Sequence, residues 1–217
     1  MLHILSQQPG LFNQFLSEIR DVNIQKDRMR FRRNLERIGE IAANEISKTL
    51  PHAEREVLTP LGIAPMMLLH EQPVICSIMR AGLPLHQGLM NYFDQADSSF
   101  VAAYRKHDSA ERFEIEVDYM SSGSIENRIL ILADPMLATG ASLEKVYRML
   151  LQRGKPAQIH IVSVIASRYG LNSLRAKLPE DVHFWIGAVD EELTAQSYIV
   201  PGLGDAGDLA FGSKSDG

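Results

Sequence analysis

The spacing of apolar residues predicts an alternation of strands and helices along most of the chain. Residues 11–20 and 26–50 carry apolar side chains at helical spacing, and Pro51 is expected to end the second helix. Short apolar runs predict buried strands at residues 74–78, 100–104, 129–133, 159–166 and 182–189, and helical patterns follow three of them. Strands that alternate with helices are typical of a parallel sheet covered on both faces, so we predict an α/β protein.

Residues 112–119 follow a different pattern, in which apolar and acidic side chains alternate strictly. A period of two residues predicts a half-exposed antiparallel strand. Polar and glycine-containing stretches flank it on both sides. We therefore interpret residues of about 104–127 as a β-arm that projects from the sheet.

Composition fits one domain spanning residues 1–217, with about 1–50 as an N-terminal helical segment. The net charge of −5 argues against a nucleic-acid partner, which normally meets a basic surface. Cys76 is the single cysteine, which excludes an internal disulfide and fits a reducing compartment. The sequence shows neither a membrane-length apolar run nor a signal-peptide pattern, so we expect a cytoplasmic protein with no membrane partner.

Residues 134–142, Asp-Pro-Met-Leu-Ala-Thr-Gly-Ala-Ser, carry the clearest chemistry and are called the phosphate loop below. A strand, a loop of small residues and a helix N-terminus together form a cradle of N–H groups for a phosphate. Thr139 and Ser142 can add hydroxyl donors, and the segment lacks the Gly-Lys-Ser/Thr of a Walker A motif. Asp134 ends the preceding strand, where a carboxylate suits ribose hydroxyls, so the loop indicates a sugar phosphate.

Three segments resemble those of a known family, the uracil phosphoribosyltransferases. The phosphate loop resembles their loop for 5-phosphoribosyl-1-pyrophosphate (PRPP). Residues 79–83, Met-Arg-Ala-Gly-Leu, resemble their pyrophosphate loop, and residues 198–208, Tyr-Ile-Val-Pro-Gly-Leu-Gly-Asp-Ala-Gly-Asp, are similar to their uracil-binding segment. The resemblance implies the type I phosphoribosyltransferase fold, a central parallel sheet flanked by helices with a projecting β-arm. It also implies a base-binding segment at about residues 190–212.

The resemblance implies a role for each matching residue. PRPP is expected to contact Arg80, Arg105, Asp134, Pro135, Met136, Leu137, Ala138, Thr139, Gly140, Ala141, Ser142 and Asp205, with the guanidinium of Arg80 and the N–H of Gly82 directed to the pyrophosphate. Catalysis is expected to depend on Asp134, Arg80 and Asp205. Uracil is expected to bind backbone groups of Ile199, Gly204, Asp205 and Ala206. Mg²⁺ is expected as the cofactor, held through PRPP and water without direct protein ligands.

Several residues also fit ordinary structural roles. Asp205 suits an Asx turn, and the glycine- and proline-rich residues 201–212 suggest an ordered loop. Trp185 suits the core, and three histidines that are scattered in the sequence suit structural or solvated positions; these are His86, His160 and His183. The second helix carries an arginine stripe that fits a solvated face, made of Arg28, Arg30, Arg32, Arg33 and Arg37.

The implied activity is that of a pentosyltransferase, which converts uracil and PRPP to UMP and diphosphate in pyrimidine salvage. Several departures from the family pattern bear on it: among them, Ala141 replaces a glycine, Lys-His-Asp-Ser at residues 106–109 replaces an acidic run of the β-arm, and Thr194 replaces an asparagine. Two alternatives therefore remain, a catalytically weak regulatory protein that senses PRPP or nucleotides, and a transferase for another base. The resemblance is compatible with a homodimer or higher homo-oligomer and with a purine nucleotide effector.

Overall fold

The structure is a computed structural model that describes residues 1–109 and 112–213, with the backbone alone described for 104–109 and 112–115. None of the helices in this part of the chain is long and apolar enough to cross a membrane. The helices are α1 (Leu11–Arg20), α2 (Arg28–Ser47), α3 (Leu83–Met90), α4 (Ala141–Leu150), α5 (Arg168–Lys177) and α6 (Ala206–Phe211). The strands are β1 (Leu2–Ile4), β2 (His52–Thr59), β3 (Gly62–Leu69), β4 (Val74–Met79), β5 (Asp97–Ser109), β6 (Arg112–Ser121), β7 (Ile129–Ala133), β8 (Met136–Leu137), β9 (Gln158–Ser167), β10 (His183–Asp190), β11 (Glu192–Leu193) and β12 (Ile199–Val200).

The main sheet has the strand order β1-β10-β9-β7-β4-β5-β6, and the short strand β8 pairs with β9. All of these pairs are parallel except β5 and β6, which are antiparallel. The α/β prediction is therefore confirmed, as are the predicted strands of the central sheet. Residues 112–119 lie in β6, the antiparallel strand that their alternating pattern predicted.

Alternate residues of the central strands face opposite sides of the sheet, as the pleat requires. Ile75 and Ile131 belong to a core formed with α1, α2 and α3, whereas Cys76 and Leu132 belong to a core formed with α4 and α5. The chain leaves β4 through α3 on the first side and leaves β7 through α4 on the second. The topological switch point thus lies between β4 and β7, where open α/β sheets bind ligands at their carboxyl edge.

Helices α2 and α3 meet with their backbones in contact. A Cβ atom added to Gly39 would lie 2.6 Å from the carbonyl oxygen of Leu85, and one added to Gly88 would overlap the carbonyl of Glu36. Any side chain at either position would separate the two helices, because protein interiors are already close-packed. Glycine is required here by close approach.

Several of the described elements were not predicted. Strand β1 extends the main sheet beside β10, and β2 and β3 form a separate antiparallel hairpin. The expectation of a loop throughout residues 201–212 was wrong, because α6 forms within it. Asp205 starts this helix by accepting the N–H of Asp208 at 2.9 Å, which outweighs the poor helix propensity of Gly207.

Two of the histidines that are scattered in the sequence meet in the fold, in a structural position as predicted. Strand pairing places His160 opposite His183 and His3 opposite Trp185. The rings of His3 and Trp185 stack with centroids 3.9 Å apart, and the indole N–H of Trp185 donates to Nδ1 of His160 at 2.9 Å. Trp185 lies in the core as predicted. The cluster is structural, since it lies along the strands of the sheet rather than at its switch point.

Candidate active site

Two serine hydroxyls of β9 hold the phosphate loop in place. Within the loop, β8 runs parallel to β9. The hydroxyl oxygen of Ser163 accepts the N–H of Leu137 at 3.1 Å, and the hydroxyl of Ser167 donates to the carbonyl of Ala138. A Cβ atom added to Gly170 would overlap that same carbonyl. The path of the loop is therefore set by contacts with β9 and the start of α5.

The end of the phosphate loop has the geometry of an anion site. Gly140 adopts a left-handed conformation with φ of 81° and directly precedes α4. The first N–H groups of α4 have no acceptor within the helix, and the helix dipole is positive at this end. Thr139 and Ser142 are partly exposed, so their hydroxyls can reach a ligand. The arrangement can hold a phosphate group.

Asp134 lies at the carboxyl end of β7, at the switch point. Its N–H donates to the carbonyl of Val162 at 3.1 Å, and its Oδ1 accepts the N–H of Met136 at 3.2 Å. One carboxylate oxygen thus helps to shape the phosphate loop. The side chain is partly buried, which suits a group that faces both the loop and a ligand.

The predicted pyrophosphate loop leaves the sheet beside the phosphate loop, because Ser77 of β4 pairs with Ala133 of β7. The peptide bond between Met79 and Arg80 is cis. The N–H of Gly82 donates to the carbonyl of Ile78 at 3.0 Å. The expectation that this N–H faces a ligand was therefore wrong, because the tight turn into α3 uses it.

His86 supports this loop from below. The backbone N–H of His86 donates to the carbonyl of Gly82 at 2.9 Å. Its two ring nitrogens each lie 2.9 Å from a serine hydroxyl, that of Ser77 and that of Ser98. The imidazole thus ties the first turn of α3 to β4 and β5. Burial lowers the pKa of His86 to about 4, so the ring is neutral at physiological pH.

Arg80 reaches from the pyrophosphate loop to the base-binding segment. Its Nη2 donates to Oδ1 of Asp208 at 2.9 Å and to the carbonyl of Gly212 at 2.7 Å. Its Nε is buried and has no acceptor among the described residues. Arg80 therefore connects the segment that is predicted to bind the pyrophosphate with the segment that is predicted to bind the base.

The base-binding segment begins at the carboxyl end of β10. Asp190 accepts two hydrogen bonds from Arg20, at 2.8 and 2.9 Å, and a third from the N–H of Gly202 at 2.8 Å. Burial acts to raise the pKa of Asp190, but the hydrogen bonds from Arg20 and Gly202 outweigh it and the pKa falls below its usual value. A charged Asp190 thus anchors the segment. Strands β11 and β12 pair between these points.

The predicted uracil-binding residues lie along this segment. Ile199 and Ala206 are buried, while Gly204 and Asp205 are exposed. Gly204 has φ of 96°, a conformation that favours glycine. Asp205 caps α6 instead of forming the expected Asx turn, because its Oδ1 accepts the N–H three residues on, at Asp208; the second carboxylate oxygen is left for other contacts. A cavity of about 450 Å³ borders Gly204 and Asp205 and is also lined by Val22, Gln25 and Lys26.

Comparison with known proteins agrees with this geometry. The sequence model of the family described as uracil phosphoribosyltransferase matches residues 6–213. The chain belongs to the uracil phosphoribosyltransferase family. A uracil phosphoribosyltransferase of Porphyromonas gingivalis is 49% identical over 210 residues, which cover 97% of each chain, and one of Methanothermobacter thermautotrophicus is 39% identical over 86% of this chain and 85% of its own. The solved structure of the AQ2163 protein from Aquifex aeolicus has a TM-score of 0.86 at 29% identity and covers 98% of both chains.

Two departures from the usual pattern of the uracil phosphoribosyltransferase family are accommodated by the fold. Ala141 does not have a positive φ, so a residue other than glycine is not strained there. Thr194 closes the turn between β11 and β12, since its N–H donates to the carbonyl of Tyr198 at 2.8 Å and its hydroxyl oxygen accepts the N–H of Tyr198 at 3.1 Å.

The β-arm is formed by β5 and β6, in which Arg105 pairs with Ile115. The side chain of Arg105 and those of residues 106–109 lie outside the described part of the structure. The predicted contact of Arg105 with pyrophosphate therefore stays a prediction, as does any effect of the altered sequence at 106–109.

Sequence reasoning missed the residues that support the site. Asp190, Arg20 and His86 each make two or more of the hydrogen bonds described above, yet none lies in a motif quoted for the family. The arginine stripe of α2 was interpreted as a solvated face, but Arg32 donates to the carbonyl of Ala210 at 2.6 Å. An arginine in the polar stripe of a helix offers no local sign of such a distant contact.

Proposed function

We propose that this protein transfers the phosphoribosyl group of PRPP to N1 of uracil, which yields UMP and diphosphate in pyrimidine salvage. The bond from ribose C1 to the pyrophosphate oxygen breaks, a bond from C1 to N1 forms, and N1 loses its proton. The observation that carries the proposal is the meeting of the phosphate loop, the pyrophosphate loop and the base-binding segment at one switch point. Membership of the uracil phosphoribosyltransferase family supports the same reaction.

Each end of PRPP has a corresponding group in this arrangement. The 5-phosphate lies in the cradle of residues 138–142, and Asp134 accepts hydrogen bonds from the ribose hydroxyls. Arg80 and Arg105 bind the pyrophosphate, for which the planar guanidinium fork is well suited. The remaining contacts are those of Pro135, Met136 and Leu137 in the loop and of Asp205 beyond it. Catalysis rests on positioning and on stabilising the charge of the leaving diphosphate.

Mg²⁺ fits this site as a cofactor carried by PRPP. No group of three or more histidine, cysteine or acidic side chains suited to a metal occurs among the described residues. Mg²⁺ keeps several waters and takes most of its other ligands from its substrate, so it can bind where the protein offers few ligands. Asp205 would hold it through water with the carboxylate oxygen that does not cap α6, and the ion would supply positive charge that offsets the charge of the leaving diphosphate.

The base is read by backbone groups of Ile199, Gly204, Asp205 and Ala206. Uracil offers a carbonyl acceptor at C4, where cytosine offers an amino donor. A backbone donor that faces the amino group is left unpaired, at a cost of about 1–3 kcal/mol, or roughly 5- to 150-fold in discrimination. Purines are excluded by size.

The decisive experiment measures PRPP-dependent nucleotide formation with uracil, cytosine, hypoxanthine and adenine in parallel, each with and without GTP as a candidate effector. We expect UMP formation that is lost with EDTA and restored by Mg²⁺. Equal activity with cytosine would favour a transferase for another base. PRPP binding without nucleotide formation from any base would favour the regulatory alternative.

We further propose that the protein is a homodimer or higher homo-oligomer assembled through the hairpin of β2 and β3. A two-stranded hairpin is marginally stable by itself, and a large exposed apolar surface usually marks an interface. This hairpin exposes seven large apolar side chains, those of Val57, Leu58, Leu61, Ile63, Met66, Met67 and Leu68.

Light scattering after size-exclusion chromatography tests the assembly. The double variant Ile63→Lys/Met67→Lys is expected to dissociate, because it places two charges on the apolar hairpin. The control Leu11→Lys changes an equally exposed leucine in α1 and is expected to leave the mass unchanged. A wild-type monomer at every concentration tested would exclude the proposal.

A further inference from the structure

Three arginine side chains donate to backbone carbonyls of the base-binding segment from outside it. The donor and acceptor pairs are Arg20 with Gly202 at 3.0 Å, Arg32 with Ala210 at 2.6 Å and Arg80 with Gly212 at 2.7 Å. Arg20 ends α1 and Arg32 lies in α2, so two of the three belong to the N-terminal helices. Arg80 is already proposed to bind the pyrophosphate, whereas no substrate contact is proposed for Arg20 or Arg32.

We propose that Arg20 and Arg32 are positioning residues for the base, which hold the base-binding segment in the shape that meets uracil. The inference rests on the proposed base site. Backbone readout makes it necessary, because a site built from N–H and C=O groups depends on where the chain runs rather than on its side chains. The N-terminal helices thereby become part of the support of the active site.

Arg32 holds the carboxyl end of α6. This helix has six residues, too few to be stable without tertiary contacts. The last carbonyls of a helix find no N–H donor within it. A positive charge at this end is also favourable, because the helix dipole is negative there. The guanidinium of Arg32 supplies the N–H donor, to Ala210, and the positive charge. It also lies 5.9 Å from the ring centroid of Phe211. With Asp205 capping the other end, both ends of α6 are fixed.

Arg20 holds the other end of the segment, at Gly202. The same guanidinium binds both carboxylate oxygens of Asp190, which in turn accepts the N–H of Gly202. A Cβ atom at Gly202 would overlap the carbonyl of Ile199, so the chain is tightly folded here. Gly204, Asp205 and Ala206 therefore lie between two fixed points, Gly202 with its ion pair and the carboxyl end of α6.

The test compares Arg32→Gln with the control Arg33→Gln. Arg33 is the next residue of α2 and pairs with Glu36 rather than with α6. We expect Arg32→Gln to raise the KM for uracil about ten-fold, as for a lost hydrogen bond to a charged group, with a much smaller change for PRPP. Arg33→Gln should leave both values near those of the wild type. Arg32→Lys keeps the charge and should restore part of the uracil affinity.

Hydrogen exchange provides a readout that does not depend on activity. In Arg32→Gln the amides of residues 206–212 should exchange faster, while those of the central strands and the melting temperature stay near wild type. Unchanged exchange in this helix would overturn the inference even if the wild type proves inactive with uracil. Equal increases in both KM values with a general loss of protection would also overturn it. If Arg32→Gln fails to fold, Arg32→Lys is judged by the same two criteria.

Discussion

Acid is expected to destabilise this protein through His86, the imidazole beneath the pyrophosphate loop. Burial lowers its pKa to about 4 in the folded state, against an ordinary value of 6.5. A lowered pKa means that folding favours the neutral ring. The resulting stability is fully present above pH 6.5 and is lost as the pH falls toward 4.

The size of the effect follows from the shift and the burial. His86 is 5% exposed, so solvent screens its charge weakly. Each pH unit within this window removes about 1.4 kcal/mol from the free energy of unfolding, or roughly 2–3 kcal/mol between pH 6.5 and 4.5. His160, whose pKa burial and its histidine neighbours lower to about 3, adds a similar loss over the same interval.

Urea unfolding at pH 7.5, 6.5, 5.5 and 4.5 measures this loss in the wild type and in His86→Gln. Glutamine can still bond the two serine hydroxyls but does not titrate, so the variant should lose about 2 kcal/mol less than the wild type on acidification. The control Ile75→Val removes one buried methylene and should lower stability by about 1 kcal/mol at every pH. Identical pH dependence in the wild type and His86→Gln would refute the reasoning.

Three substitutions test the proposed substrate contacts. Asp134→Asn should lower kcat/KM for PRPP at least about ten-fold with little change in melting temperature; normal kinetics would contradict the ribose contact. Gly170→Ala should raise the KM for PRPP, because its Cβ would overlap the carbonyl of Ala138 in the phosphate loop, and unaltered PRPP kinetics would show that the loop adjusts freely. Ala206→Val should weaken uracil use and spare PRPP binding, measured by kinetics and calorimetry; an unchanged KM for uracil would place the base elsewhere.

Local patterns were sufficient to predict the central sheet. The apolar runs of β4, β7, β9 and β10 are continuous in sequence, and the helices before β9 and β10 end at local stop signals, Gly154 and Pro179. The phosphate loop was likewise readable, because a strand, small residues and a helix follow one another directly. Both kinds of signal depend on neighbours in sequence, and both led to the correct α/β architecture.

Features that depend on distant contacts were not readable. Nothing near Arg32 indicates the carbonyl of Ala210, and nothing near His3 indicates Trp185, because pairing within the fold creates each contact. Helix α6 was interpreted as a loop because, apart from the local cap of Asp205, the hydrogen bonds at its carboxyl end come from Arg32 and Arg80, which are distant in sequence. The hairpin of β2 and β3 was missed because its apolar side chains alternate on no single face and remain exposed on both.

The contact of Gly39 with Gly88 has a mechanical consequence for the two substrates. It joins the helix that carries Arg32 to the helix that follows the pyrophosphate loop, so this pair of helices supports parts of both proposed subsites. A methyl group at Gly88 would shift these helices by roughly 1 Å, a displacement that can cost about a hundred-fold in rate. The alignment of uracil with ribose C1 would thus depend in part on Gly39 and Gly88, which have no side chain and lie outside the proposed substrate contacts.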